Sequence, residues 1–328
     1  MMPIINVIEA VRDAMKEEMA RDASVFIMGE DVGKRGGVFL ATQGFVEEFG
    51  EQRVIDMPLA ESGIAGIAVG AAMAGLRPIA EIQFADFIWP TMNQIVGEAA
   101  RVRYGTKGEV HVPMVVRSPY GGQVRGGLFH SQSVEAYFAH TPGLKVVAPS
   151  TPFDAKGLLK SAIRDNDPVL FLEHKRTYRS VRGEVPDTDY SIPIGSADVK
   201  RAGHDATIVS YGLTIHYALQ AAEVLEKEGI QIEIVDLRSI RPLDTETIIN
   251  SVSKTSRLLV LHEDNLTGGI GAEISAIVSE KAFDLLDAPI MRCAGLDIPA
   301  MPFAPTLEAA YMPSLEKILA TTRKLLAY

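Results

Sequence analysis

The chain has little that would suit disulfide, cysteine–metal or polyanion-binding chemistry. Cys293 is its only cysteine, which excludes an internal disulfide and any cysteine-based metal cluster. It has no basic block: 32 Lys and Arg stand against 42 Asp and Glu, a formal charge of −10. Nucleic acid and anionic membranes are therefore not expected partners. The charge-free run over residues 64–76 ends after 13 residues, too short to span a bilayer. No charged-then-apolar leader precedes Asn6, so the expected location is the cytoplasm of a bacterium. Several nucleotide and hydrolase signatures also fail. After Gly269 and Gly271 the third glycine of a dinucleotide fingerprint is replaced by Ile274, and the run from Gly70 to Gly75 lacks the lysine of a phosphate loop. There is no serine nucleophile elbow and no histidine pair at zinc-ligand spacing.

What remains is an ordinary globular composition, 47% hydrophobic and 23% charged over 328 residues, enough for two domains with separate cores. Asn6 is placed to cap a helix running to about Arg21, with Val7, Val11, Ala14 and Met15 on one face. A short apolar run, 25–28, leads into GEDVG, where an acidic pair beside glycines suits a ligand-facing loop or a solvated turn equally. Strands are expected over 79–84, 112–117, 144–148 and 168–173, and helices over 88–104 and 152–163. Periodicity lapses over 182–203, which reads as the linker. Beyond it, strands 206–211, 232–237 and 258–262 alternate with helices 215–227 and 244–252, a pattern that implies a parallel sheet with helical crossovers. The expected fold class is α/β in two domains, 1–190 and 191–328, each a mainly parallel sheet flanked by helices.

The chain is organised around residues 56–87, DMPLAESGIAGIAVGAAMAGLRPIAEIQFADF. Gly66, Gly70 and Ala74 fall four apart, so a helix here presents a stripe of nearly bare backbone for a close helix or subunit contact. Glu61 stands at its start. A carboxylate there is favoured by the exposed amides and dipole of a helix. Its flanks Leu59, Ala60, Ile64 and Ala65 are apolar, however, and a carboxylate in an apolar wall is costly unless it is hydrogen-bonded. Glu61 thus reads either as a helix-start residue or as a buried acid that contacts a ligand. His130 follows a glycine-rich loop, 121–127, at the end of an expected strand, where ligands bind in open α/β sheets. Imidazole titrates in the range that suits proton transfer. His140, His174 and His216 have no such setting and read as structural.

These motifs, with GEDVGKRGGVF, VRSPYGGQVRGGLFHSQSVEAYFAHTPGLKVVAPSTPFDAKGLL, VDLRSIRPLD and HEDNLTGGIGAEI, closely resemble the β-subunits of the decarboxylase component of 2-oxo acid dehydrogenase complexes. The resemblance covers nearly the whole chain. It implies a transketolase-like pyrimidine-binding domain carrying Glu61 and His130, followed by a transketolase C-terminal-like domain for subunit and core contacts. It implies thiamine diphosphate as cofactor, with Glu61 on the aminopyrimidine ring and doing acid–base work through it, Gln83 and Phe87 lining the same ring, and Leu59 offering its backbone. By the same resemblance His130 lies near the reacting carbon and aids acyl transfer to a lipoyl group.

AIRDNDP resembles a segment that holds a structural monovalent cation, K⁺, through Ala162, Asp165 and Asp167, with Asp167 where relatives often have Asn. The GDG…NN motif by which the family binds diphosphate and Mg²⁺ is absent from this chain. An α-subunit is therefore implied, in an α2β2 heterotetramer, together with a lipoyl-bearing acyltransferase core. AEIQFADFIWP and FLEHKRTYR favour branched-chain 2-oxo acids as substrate, with pyruvate and then acetoin as alternatives. A non-catalytic scaffold subunit is the remote alternative, and direct nicotinamide binding is weaker still.

Overall fold

The computed structural model describes residues 2–328. Cα packing divides the chain into two compact units, one of residues up to 120 together with 137–194, the other of 121–136 together with 195–328.

In the first unit the strands run in the order Lys145–Val147, Val169–His174, Val115–Tyr120, Arg77–Glu81, Val25–Gly29 and Val54–Asp56, each parallel to its neighbours. They are buried almost throughout, as a parallel sheet covered on both faces requires. Helix Val7–Arg21 forms as expected from Asn6: its Oδ1 accepts the Glu9 amide at 2.9 Å while Glu9 Oε2 accepts the Asn6 amide at 2.7 Å. Such a capping box contributes about 1 kcal/mol. Val11, Ala14, Met15 and Met19 on that helix are buried in one core with Ala155, Leu158, Leu159 and Ala162 of helix Pro152–Arg164. Lys160 to Glu17 at 2.7 Å and Arg164 to Glu18 at 2.6 Å close the polar edge of the packing.

In the second unit the order is Met291–Gly295, Leu258–Asn265, Ala206–Ser210, Ile232–Asp236 and Asp198–Arg201. All pairs are parallel except the last, which is antiparallel. Helix Thr245–Thr255 is capped by Asp244, whose Oδ1 accepts the Thr247 amide at 3.0 Å. The α/β expectation holds for both units.

Two expectations need correction. The stretch 182–203 is not a featureless linker. Arg182–Glu184 pairs antiparallel with Ile4–Asn6, and Asp198–Arg201 supplies an edge strand. Long-range pairing partners gave these short polar segments a structure that their own periodicity did not announce. The expected continuous helix over 88–104 is instead a 3₁₀ turn at Trp89–Thr91, a π-helical stretch Asn93–Ala99 and a short α-helix Ala100–Gly105. Pro90 removes a backbone donor at the start of this segment.

Candidate active site

Because Val54–Asp56, Val25–Gly29 and Arg77–Glu81 are adjacent and parallel, the loops leaving their carboxyl ends emerge along one edge of the sheet, the usual ligand side of such folds. Glu30 follows the first-numbered of these strands, Glu61 opens helix Glu61–Met73 after the second, and Gln83 and Phe87 follow the third. The loops are tied to one another. The Gly33 amide donates to Asp56 Oδ1 at 2.6 Å, and the Met57 amide donates to the Gly29 carbonyl at 2.8 Å. A Cβ on Gly33 would lie 2.4 Å from Asp56 Oδ2, so a larger residue here would displace the Asp56 carboxylate and its bond to the loop. Gln83 Nε2 reaches the Glu30 carbonyl at 3.4 Å.

Glu61 is the first residue of its helix, and Ala60, at the cap, supplies no side-chain acceptor. The Glu61 carboxylate is half-buried and, among the described residues, accepts no hydrogen bond. The expected apolar wall is not there within this chain: Leu59 is 81% exposed, and Ala60 and Ser62 are exposed as well. Sequence neighbours at a helix start point outward to either side, so their apolarity says little about what surrounds the carboxylate. The small-residue stripe is likewise open, with Gly70 and Ala74 exposed and only Ile64, Ala65, Ala68, Val69 and Ala72 buried.

Glu30 was not singled out from the sequence, although the acidic pair beside glycines at a strand end was the available signal. Its carboxyl is pushed up by burial first, and then by the negative charges of Glu61 and Asp31. A proton is therefore held more readily on Glu30 than on an isolated carboxylate.

Beneath these loops lies a buried ion cluster that sequence reasoning also missed. Arg117 donates to Glu81 Oε2 at 2.6 Å and to both oxygens of Glu173 at 2.6 and 2.8 Å, and the Tyr178 hydroxyl donates to Glu173 at 2.6 Å. Burial pushes the Glu81 carboxyl up; Arg117 opposes this and Glu173 adds to it. From Tyr178 an aromatic chain runs outward through Phe39 (5.0 Å) and Phe84 (5.6 Å) to Phe87 (5.7 Å), where the final contact is edge to face. The ammonium of Lys175 sits 5.6 Å from the Phe84 ring. Phe87 is thus backed by a fixed ring, as a stacking surface requires.

His130 is half-buried and follows the short 3₁₀ turn Gly127–Phe129. It belongs to residues 121–136, which pack with the second unit. Glu61, Gln83 and Phe87 belong to the first. Of the remaining predicted residues, Asp165 and Asp167 are engaged in ion pairs. Lys145 Nζ lies 2.6 Å from Asp165 and 3.4 Å from Asp167, Arg103 is bidentate on Asp167, and the Ala162 carbonyl accepts the Asp165 amide at 3.3 Å. Among the described residues no group of three or more His, Cys, Asp or Glu side chains is arranged to hold a metal. Among the described residues no helix is long and apolar enough to cross a membrane.

Glu61, Gln83 and Phe87, a carboxylate, an amide and an aromatic ring, thus all follow the carboxyl ends of neighbouring parallel strands. Residues 4–181 match the family described as transketolase, pyrimidine binding domain, and residues 195–318 match transketolase, C-terminal domain. These family matches define a thiamine diphosphate-dependent enzyme of the transketolase-like class. Over 324 residues, 99% of both chains, the sequence is 60% identical to 2-oxoisovalerate dehydrogenase subunit beta of Bacillus subtilis. Over the same span it is 48% identical to the pyruvate dehydrogenase E1 component subunit beta of that organism, and 44% identical to that of Staphylococcus epidermidis. A solved split-gene transketolase, an inactive β4 tetramer, shares the fold at TM-score 0.80 and 24% identity, covering 98% of each chain. The chain belongs to the family of 2-oxo acid dehydrogenase E1 β-subunits.

Proposed function

We propose that the chain acts with an α-subunit, as an α2β2 heterotetramer, to decarboxylate branched-chain 2-oxo acids oxidatively and pass the acyl group to a lipoyl-bearing acyltransferase. The observation that carries the substrate is the 60% identity to a 2-oxoisovalerate enzyme subunit against 48% to a pyruvate one of the same organism. Residues 1–190 form the pyrimidine-contacting domain in this reading, and 191–328 serve subunit and core contacts.

Thiamine diphosphate, when bound, supplies the electron sink that decarboxylation needs. The chain's own residues hold and prime it. Glu61, with a carboxylate that has no internal hydrogen-bond partner among the described residues, shares a proton with a ring nitrogen. Glu30 alongside, its own carboxyl pushed up by burial and then by the charges of Glu61 and Asp31, can hold a proton of its own beside that contact. Gln83 orients the ring through its amide, Leu59 through its backbone, and Phe87 offers a face against it. His130 serves acyl transfer in this reading. Mg²⁺ and the diphosphate are assigned to the α-subunit, since this chain has no phosphate loop. The carboxylates of Asp165 and Asp167 are already paired with Lys145 and Arg103, so their side chains do not fit a K⁺ ion as they stand, and no step is assigned to one.

The test is turnover of 3-methyl-2-oxobutanoate against pyruvate by co-expressed α and β chains with thiamine diphosphate and Mg²⁺. A preference for the branched acid supports the reading. A preference for pyruvate moves the enzyme to the pyruvate complex, and turnover of neither acid by an intact heterotetramer favours a scaffold subunit.

A further inference from the structure

The loop that carries His130 is held by two carboxylates far away in sequence. At its entrance the Gly122 amide donates to Glu263 Oε1 of strand Leu258–Asn265, and the Gln123 amide donates to Glu308 Oε1 of helix Pro305–Tyr311 at 2.8 Å. Both carboxylates are buried. The Tyr217 hydroxyl donates to Gln123 Oε1, adding a third tie at the same end. The loop closes on itself where the Gly121 amide meets the Gln132 carbonyl at 3.1 Å. Gln132 Nε2 then bonds the Leu128 carbonyl at 3.0 Å, and Gln132 Oε1 accepts the Met301 amide at 3.4 Å. The packing leaves little slack beside the histidine: a Cβ on Gly126 would lie 2.6 Å from His130 Cβ and 2.7 Å from its carbonyl oxygen. His130 is therefore seated inside a closed loop whose first two amides are anchored by Glu263 and Glu308.

We propose that Glu263 and Glu308 are positioning residues for His130: each takes one entrance amide of the loop in a charge-assisted bond, and together they set the imidazole for acyl transfer. Neither residue touches the reacting atoms. A carboxylate accepting a backbone amide is about twice as strong as a neutral acceptor, and a shift of ~1 Å in a group poised for reaction is enough to cost about 100-fold in rate. This rests on the reading of His130 as a residue of acyl transfer.

The experiment uses the α/β heterotetramer loaded with thiamine diphosphate and Mg²⁺, and carries Glu308→Ala, Glu308→Gln and His130→Gln in parallel. Two activities are measured, reductive acylation of a lipoylated acyltransferase domain and decarboxylation coupled to the artificial oxidant 2,6-dichlorophenolindophenol. A third readout is the rate of tryptic cleavage after Arg125, exposed within the loop. Glu308→Ala is expected to lose on the order of 10- to 100-fold in acylation, to keep decarboxylation within about twofold, and to be cut faster at Arg125. Glu308→Gln keeps an acceptor oxygen at the same reach and is expected to restore most of both the acylation and the protection. Wild-type acylation and cleavage in Glu308→Ala would overturn the proposal, as would equal loss of both activities. If His130→Gln itself acylates at the wild-type rate, the underlying reading of His130 fails instead. If His130→Gln loses acylation and Glu308→Ala does not, only the positioning claim fails.

Discussion

Replacing Arg117 with methionine should loosen the sheet edge that carries Glu61, Gln83 and Phe87. The guanidinium is 1% exposed and makes three bonds of 2.6 to 2.8 Å to Glu81 and Glu173. Methionine fills the space of the aliphatic stem but leaves two carboxylates in a dry interior, with only the Tyr178 hydroxyl still bonded to Glu173. Removing one side of a buried ion pair costs ~3–5 kcal/mol, equivalent to a rise of roughly 10²- to 10⁴-fold in the opening equilibrium of the strands. The sign of the pH dependence follows from Glu81. Its carboxyl is already raised by burial, and Arg117 is what opposes the shift. Without Arg117 the folded state holds a proton that the unfolded chain releases in the ordinary carboxylate range. Stability of the variant then falls as pH rises, and its deficit is larger at pH 8 than at pH 6. Hydrogen exchange of peptides spanning residues 77–84 and 115–120 reads this directly, after correction for intrinsic exchange at each pH. An opening constant within about fivefold of wild type at pH 8 would refute the magnitude taken from buried-pair energetics. A deficit equal at the two pH values would refute the protonation argument. Adding Glu81→Gln to the variant should recover part of the loss, because the neutral amide removes one of the stranded charges.

Two further outcomes test the site and its support. Glu61→Gln is nearly isosteric and removes the proton-holding group, so it should lower turnover by ~10²–10⁴-fold while the heterotetramer, checked by sedimentation, stays intact. Full activity would return Glu61 to the role of a helix-start residue. In the second unit the buried Glu135 accepts the Tyr211 hydroxyl at 2.7 Å and is pushed up to about 8, by burial first and then by Asp264. A raised acid contributes stability that is present below its unfolded pKa and is lost as pH rises through the folded one. Wild type should thus lose up to about 1.4 kcal/mol per pH unit from this group over the interval ending near pH 8. Glu135→Gln carries no such dependence, so the melting midpoint of the variant should gain on wild type between pH 6 and pH 9. A constant difference across that range would contradict the assigned protonation.

Local pattern was a good guide wherever an element's structure is dictated within about ten residues. Asn6 with Glu9 read as a helix start because the capping bonds span three residues, and Asp244 did so for the same reason. The alternation beyond residue 205 read as a parallel sheet because buried strands and amphipathic crossovers have distinct periods. Glu61, Gln83 and Phe87 were named from their motifs, and the structure puts all three after neighbouring parallel strands. The pattern misled where an element depends on a distant partner, as in the pairing of Arg182–Glu184 with Ile4–Asn6. It also misled where sequence neighbours were taken for spatial ones, as with the exposed Leu59 beside Glu61.

The sequence by itself determined the α/β class, the family and most of the order of elements, because each of these is written in local periodicity or in contiguous motifs. Only the tertiary structure decided what surrounds the site residues. It brought Glu30 close enough to Glu61 to feel its charge, set Lys145 and Arg103 across Asp165 and Asp167, buried Arg117 between Glu81 and Glu173, and drew Glu263 and Glu308 onto the loop of His130 from 141 and 185 residues away. Charge, burial and hydrogen-bond reach depend on distance in space, and residues so far apart along a chain meet only when the whole sheet has formed.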